Sequence, residues 1–207
     1  MKKYYLLTIS ILILILSLTG FSDNLITDIG QESNKDPKFI IHGLFCFAWM
    51  FILVIQTNFI RKENYKTHQQ LGIIGFIVAI VVVVSSWYIF VVTFKGWNEL
   101  IFFAKANRFF MTSYAVLVFI GYLKRKEVEK HKRLIYLATL YMLEPILSRA
   151  SGNMGSDISP FLFIPVVWNA FFLSIFVYDW VTIKRIHAIT YLGYIWFYVI
   201  WTMALLS

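Results

Sequence analysis

The sequence predicts an all-α protein, a polytopic transmembrane helical bundle of seven helices. Only 14% of the 207 residues are charged and 59% are hydrophobic, whereas soluble domains carry about 25% charged residues. The apolar stretches have the length of membrane-spanning helices, about 20 residues, and the short period-2 segments of a membrane barrel are missing from the pattern. We therefore expect one helical domain, 1–207, embedded in a lipid bilayer.

Seven apolar segments give the predicted helices. The first, 4–20, has a basic start like that of a signal peptide, but no small-x-small cleavage pattern ends it, so we expect a retained helix. The sequence leaves open whether this helix packs in the bundle or stands apart. The core bundle is expected to cover 38–206, with helices at 38–60, 69–94, 105–123, 132–149, 160–183 and 187–206.

The basic residues predict the orientation of the helices. One side of the predicted topology carries thirteen Lys and Arg residues and the other carries six. Cytoplasmic loops of membrane proteins hold the excess of Lys and Arg, so the amino terminus is expected in the cytoplasm and the carboxyl terminus outside. This explains the net charge of +8 without a nucleic-acid partner. The expected location is the inner (plasma) membrane.

Several metal-ligating residue types fall at the cytoplasmic end of the predicted bundle. His68, His131 and His187 each begin a helix there, and Asp179 is near the inner end of the sixth helix. Three imidazoles and a carboxylate at one depth are a ligand set that suits a divalent metal. The alternative is that the histidines simply lie among lipid headgroups, with Asp179 paired to neighbouring basic residues, Lys184 or Arg185.

One face of the third predicted helix combines a histidine with small residues. His68, Gly72 and Gly75 recur at helical spacing. A flat macrocycle could approach such a face. The alternative is close packing of a neighbouring helix, for which glycines are the usual device in membranes.

A second polar group is predicted in the outer half of the bundle. It comprises His42 on the second helix, Arg108 on the fourth, and Glu144 and Arg149 on the fifth. Measured from the basic loop, Glu144 is expected near the middle of the bilayer, where a bare charge costs on the order of 3 kcal/mol. It would then serve as a proton or substrate site, or form a structural clamp with an arginine. Ser85 is expected to have no histidine at its depth.

A pattern that runs through most of the chain resembles an uncharacterised family of bacterial polytopic membrane proteins. The resemblance brings no function with it and implies only that the helices form one fold. The residues that carry it are His42-Gly43, Trp49, Gln56, His68-x-x-Leu71-Gly72, His131-Lys132-Arg133-Leu134 and Arg149.

The hairpin of the second and third helices is also similar to that of cytochrome b561-like haem proteins. In that family, histidines on the third and fifth helices bind one haem, and histidines on the second and fourth bind another. The resemblance implies that His68 and His131 are the axial ligands of an inner haem b. His42 would bind an outer haem, but the fourth helix offers Arg108 in place of a histidine, which puts the second haem in doubt.

Three functions therefore follow from the sequence. The first is a b-type haem redox module that exchanges electrons with a quinone or another membrane redox partner, with His68 and His131 as ligands. The second is a metal-dependent membrane enzyme that uses His68, His131, His187 and Asp179. The third is a binding or transport protein without a cofactor, built on the outer polar group.

Overall fold

The computed structural model describes residues 4–27, 30, 32–153 and 159–207, and within these ranges it is all-α. No strand occurs in the described part of the chain. Short π-helical and 3-10 segments lie between α1 and α2. The α-helices are α1 (Tyr5–Gly20), α2 (Pro37–Arg61), α3 (Tyr65–Val92), α4 (Phe102–Leu123), α5 (Val128–Tyr141), α6 (Leu143–Asn153), α7 (Pro160–Ile183) and α8 (Ala188–Leu206).

Five of these helices, namely α2, α3, α4, α7 and α8, are long and apolar enough to cross a membrane. The chain is therefore a multi-pass integral membrane protein, as predicted. The count of seven spans is not confirmed. α1 has 16 residues, and the predicted fifth span is divided into α5 and α6, with a break at Met142. Pro145 lacks an N–H group and cannot bond to the carbonyl of Tyr141, which explains a break at this position.

The chain forms two compact units, and the prediction of a single domain stays a prediction. The first unit contains residues 1–89 and 145–164, and the second contains residues 90–144 and 165–207. Each unit is described by itself.

In the first unit, α1, α2 and most of α3 pack as antiparallel neighbours. The Ser10 and Thr57 hydroxyls are 2.9 Å apart across α1 and α2. The turn between α2 and α3 contains Glu63 with a φ of 59°. Gly20 ends α1 against α6, where a Cβ atom would lie 2.7 Å from the backbone oxygen of Ile146. Only glycine permits this close approach.

In the second unit, α4, α5, α8 and most of α7 surround an aromatic core. The ring centroids of Phe110 and Trp168 are 5.3 Å apart, and those of Trp168 and Phe197 are 4.8 Å apart. The Trp168 indole N–H also donates to the Leu140 carbonyl at 3.0 Å, beside the break between α5 and α6. The core thus holds a polar backbone group that the broken helix leaves without its usual partner.

Candidate functional site

Asp179, a predicted metal ligand, is the centre of a buried hydrogen-bond network in the second unit. Its Oδ1 accepts from Arg133 Nε at 2.9 Å and also from Arg133 Nη2. Its Oδ2 accepts from the His187 backbone N–H at 3.0 Å and from the Thr190 hydroxyl at 2.7 Å. Arg133, Asp179 and Thr190 are all fully buried. Both carboxylate oxygens are engaged in joining α5, α7 and α8. The pairing of Asp179 with Lys184 or Arg185, considered from the sequence, is replaced by a pairing with Arg133.

His187, the second predicted ligand in this unit, caps α8. Its Nδ1 accepts the Ile189 backbone N–H at 3.1 Å, as expected of an N-cap side chain. Burial lowers the pKa of His187, and the nearby Arg133 guanidinium lowers it further. A neutral ring whose Nδ1 accepts carries its proton on Nε2. The lone pair that a metal would need is therefore used by the cap.

His131 has the arrangement most compatible with a ligand. Its Nδ1 is 2.8 Å from the carbonyl oxygen of Gly121, near the end of α4. Because a carbonyl only accepts, Nδ1 carries a proton, and in the neutral ring Nε2 then carries the lone pair. Metal-bound histidines are commonly oriented by such a bond. The same bond also joins the ends of α4 and α5, so a structural role explains it equally well.

His68 is on α3 in the first unit, in the turn before Gly72. The glycine face of α3 is covered by α2. A Cβ atom on Gly75 would lie 3.2 Å from Ile52, and one on Gly72 would lie 3.6 Å from Gln56. The small residues therefore serve close helix packing, the alternative considered from the sequence, rather than the approach of a macrocycle.

No group of three His, Cys, Asp or Glu side chains that could hold a metal ion occurs in the described part of the chain. The contacts of Asp179 and His187 give a physical reason within the second unit. The metal set predicted from the sequence gains no support from the structure.

Glu144, the predicted intramembrane acid, is bonded to a neutral partner. Its Oε2 accepts from Asn107 Nδ2 at 2.6 Å, and the residue is only 5% exposed. No ion pair of Glu144 occurs among the described residues. Asn107 lies about 8 Å along α4 from its first residue, so Glu144 contacts the first half of that helix. The depth of Glu144 in the bilayer stays a prediction.

The two predicted arginine partners of Glu144 make other contacts. Arg108 donates to the backbone oxygens of Ala104 and Phe90 in the second unit. In the first unit, Arg149 donates to Asn24 Oδ1 at 2.9 Å and lies 3.8 Å from an Asp23 carboxylate oxygen. The structure therefore gives Glu144 an amide partner, where the sequence indicated a clamp with an arginine.

His42 has a serine partner that the sequence analysis excluded. Its Nδ1 is 2.9 Å from the Ser85 hydroxyl on α3, and its Nε2 is 3.5 Å from the Cys46 thiol. The expectation that Ser85 has no histidine at its depth was wrong, because α2 and α3 run antiparallel and the start of α2 lies beside the later part of α3. Ser85 lies about 26 Å along α3 from His68, so the two histidines occupy opposite ends of the hairpin, as predicted.

Sequence reasoning missed Asn107 and Thr190, which complete the two networks. Asn107 immediately precedes Arg108, whose charge is the stronger signal in an apolar helix. Its signal is a carboxamide in an apolar helix opposite a helix that carries an acid. Thr190 gives no signal of its own, because threonine is common in apolar helices and needs no partner outside its own backbone.

Comparisons with known proteins returned no family model, no curated protein and no solved structure that matches the chain. The chain is thus assigned to a class by its own features, that of all-α, multi-pass membrane proteins.

Proposed function

We propose that this protein is a proton-binding membrane protein of the transport or ligand-binding class, with Glu144 as the group that takes up and releases the proton. The observation that carries the proposal is the buried Glu144 carboxyl bonded to a neutral amide, Asn107 Nδ2, at 2.6 Å. The orientation of the helices in the proposal follows the bias of basic residues. The amino terminus lies on the cytoplasmic side of the inner membrane.

The physical argument starts from the cost of a charge in a membrane bundle. An ionised carboxylate in a low-dielectric interior requires a cation or several donors. Within the described residues Glu144 has a single donor, Asn107, and that donor is uncharged. Asp179 in the same unit shows the contrast, because a guanidinium and two further donors surround it. Asp179 thus has a cation among its partners, whereas Glu144 has a neutral amide and is placed to change its protonation state.

The position of Glu144 suits a coupling role. It is the second residue of α6, directly after the break at Met142 and before Pro145. Helix breaks at membrane depth are tolerated where they line protein interiors or water-filled cavities, and intramembrane acids mark proton or substrate pathways. Loss of the proton would place a negative charge beside Asn107 and change the strength of the bond between these two side chains. A proton could therefore be coupled to the binding or movement of a second solute.

Difference infrared spectroscopy of the protein in lipid tests the proposal. A protonated carboxyl has a C=O stretch that ionised carboxylates lack, and the spectra would be compared from about pH 4 to about pH 9. We expect a titrating carboxyl band in the wild-type protein that is missing in Glu144→Gln and shifted in frequency in Asn107→Leu. The matched control is Glu127→Gln.

Glu127 is a suitable control because bonds from Lys124 and Lys130 lower its pKa to about 2, so it stays ionised throughout that range. Its replacement should leave the band unchanged. A band that persists in Glu144→Gln, or a wild-type spectrum without any protonated carboxyl, would overturn the proposal.

A second candidate is a b-type haem protein, favoured by the bond between His131 Nδ1 and the Gly121 carbonyl. In this proposal His131 Nε2 is one axial ligand and His68 is the other, and the haem exchanges electrons with a quinone or another membrane redox partner. The covered glycine face of α3 argues against a macrocycle at Gly72 and Gly75, which is why this candidate ranks second.

The optical spectrum of protein purified from haem-replete cells decides this candidate. A Soret band that His131→Ala and His68→Ala each abolish is the expected result, with His187→Ala as the control that keeps it. A colourless preparation excludes a haem function and leaves the Glu144 proposal untouched.

A further inference from the structure

Arg108 is a buried cation to which the described residues supply no counter-charge. It is 9% exposed. Its Nη1 donates to the Ala104 carbonyl at 2.8 Å, and its Nη2 donates to the Phe90 carbonyl at 3.4 Å. Neither acceptor is charged, and no ion pair of Arg108 occurs in the described part of the chain. A guanidinium has five N–H donors, so these two bonds leave donor capacity for an anion.

The contact with Ala104 gives the guanidinium a direction. Ala104 is one turn before Arg108, so the side chain turns back towards the start of α4. Ile101, the N-cap residue, supplies no side-chain hydrogen bond to that end of the helix. Free backbone N–H groups and the positive end of the helix dipole therefore lie on the side to which Arg108 points. Both features favour a negative charge at the same place.

The surroundings are those of a headgroup region. Phe90 and Phe94 contact the Arg108 guanidinium through their rings, with the carbon Cζ 4.7 Å and 6.0 Å from the ring centroids. One turn earlier, the Lys105 ammonium lies 5.5 Å from the Trp97 ring. Aromatic rings with Lys and Arg at the end of a spanning helix are typical of a membrane–water interface.

We propose that Arg108, supported by Lys105 and the amino-terminal end of α4, binds a phosphate group, and that the headgroup of an anionic phospholipid supplies it. The planar guanidinium fork matches a phosphate in a two-bond geometry that a point charge cannot reproduce. The aromatic rings lie beside the acyl chains, and Lys105 adds a second positive charge. A soluble phosphate is the other source of the same chemistry, and the experiment separates the two.

The full chain, purified in detergent and washed free of lipid, would be titrated with phosphatidylglycerol, phosphatidylcholine or inorganic phosphate. Native mass spectrometry counts the bound lipid, and the shift in thermal unfolding reports binding of inorganic phosphate. The variants are Arg108→Gln and Arg108→Lys. The matched control is Arg125→Gln, because Arg125 also lies over a ring, that of Tyr122, and donates to a carbonyl, but at the opposite end of α4.

We expect one phosphatidylglycerol to bind more tightly than phosphatidylcholine, and Arg108→Gln to weaken it by about tenfold to hundredfold, the loss for a charged hydrogen bond. Arg125→Gln should bind as the wild type does. An Arg108-dependent response to inorganic phosphate, without one to the lipid, assigns the site to a soluble phosphate. Equal binding by the wild type and Arg108→Gln overturns the site. If Arg108→Gln does not fold, the test uses Arg108→Lys, because this variant keeps the positive charge and loses the planar guanidinium. About tenfold weaker binding in this variant supports the site, and unchanged binding overturns it.

Discussion

Replacing Asp179 by leucine should be among the most damaging single changes in the second unit. The substitution removes the acceptor of two Arg133 donors, of the His187 backbone N–H and of the Thr190 hydroxyl. The Arg133 side chain is completely buried, so water cannot replace the lost acceptor. It retains only the contacts with Glu129. The variant thus creates a buried cation that has lost its main partner.

The expected loss in the free energy of unfolding is about 3–5 kcal/mol, the cost of breaking a buried ion pair by removing one partner. Removing both charges should cost less. In the double variant Arg133→Met, Asp179→Leu, the remaining penalty is that of the unpaired His187 N–H and Thr190 hydroxyl, about 1–3 kcal/mol. Glu129 adds little to it, because that side chain is half exposed and returns to solvent.

Unfolding in mixed micelles with increasing SDS, followed by tryptophan fluorescence, measures these values in a double-mutant cycle with Arg133→Met. The double variant should be more stable than Asp179→Leu alone by about 2 kcal/mol. A loss in the free energy of unfolding below about 1 kcal/mol for Asp179→Leu would refute the view of Asp179 as a buried structural anchor. A loss in the double variant that exceeds the sum of the losses in the two single variants would refute it as well.

Three further changes test other parts of the structure. Gly20→Ala should destabilise the first unit by about 1–3 kcal/mol because the added Cβ would meet a backbone oxygen of α6. Gly43→Ala should not destabilise it, because no atom lies within 4 Å of the added Cβ. Thermal unfolding compares the two variants. Ser85→Ala should cost about 0.6 kcal/mol through the lost histidine bond, and Ser86→Ala, whose hydroxyl bonds only within its own helix, should cost less in the same assay. The pKa of Glu127 is lowered to about 2, so ionised Glu127 stabilises the protein at pH values above its unfolded pKa of about 4.3. Any difference in stability between the wild type and Glu127→Gln should fade as the pH falls towards 2. A difference in stability that grows on acidification contradicts this.

Length and hydropathy were sufficient to predict most of the fold. An unbroken apolar run of about 20 residues has few alternatives to a helix in lipid, and the boundaries of α2, α4 and α7 agree with the prediction within three residues. The region 132–149 was more difficult because its helix contains a proline near a polar side chain. The sequence shows Pro145 but does not show whether neighbouring residues straighten or break the helix there.

The sites were harder to predict than the helices because partners were sought at matching depth or short separation. Asp179 has two basic residues within six positions, yet it bonds to Arg133, 46 residues away. Glu144 was expected to pair with an arginine because a buried carboxylate is most often neutralised by a basic side chain. The structure gives it Asn107 instead. Which side of a helix faces which neighbour is decided by packing, and a single sequence records packing only weakly.

The bond between Arg133 and Asp179 also constrains the order in which the protein enters the membrane. Among the described helices, α5 is not one of the five that are long and apolar enough to cross on their own, and it contains the buried Arg133. The residue that neutralises this arginine is on α7 and leaves the ribosome 46 residues later. We therefore expect α5 to stay in a polar environment until α7 follows, with Glu129 as the partner of Arg133 in the meantime, and the two helices to enter the lipid together.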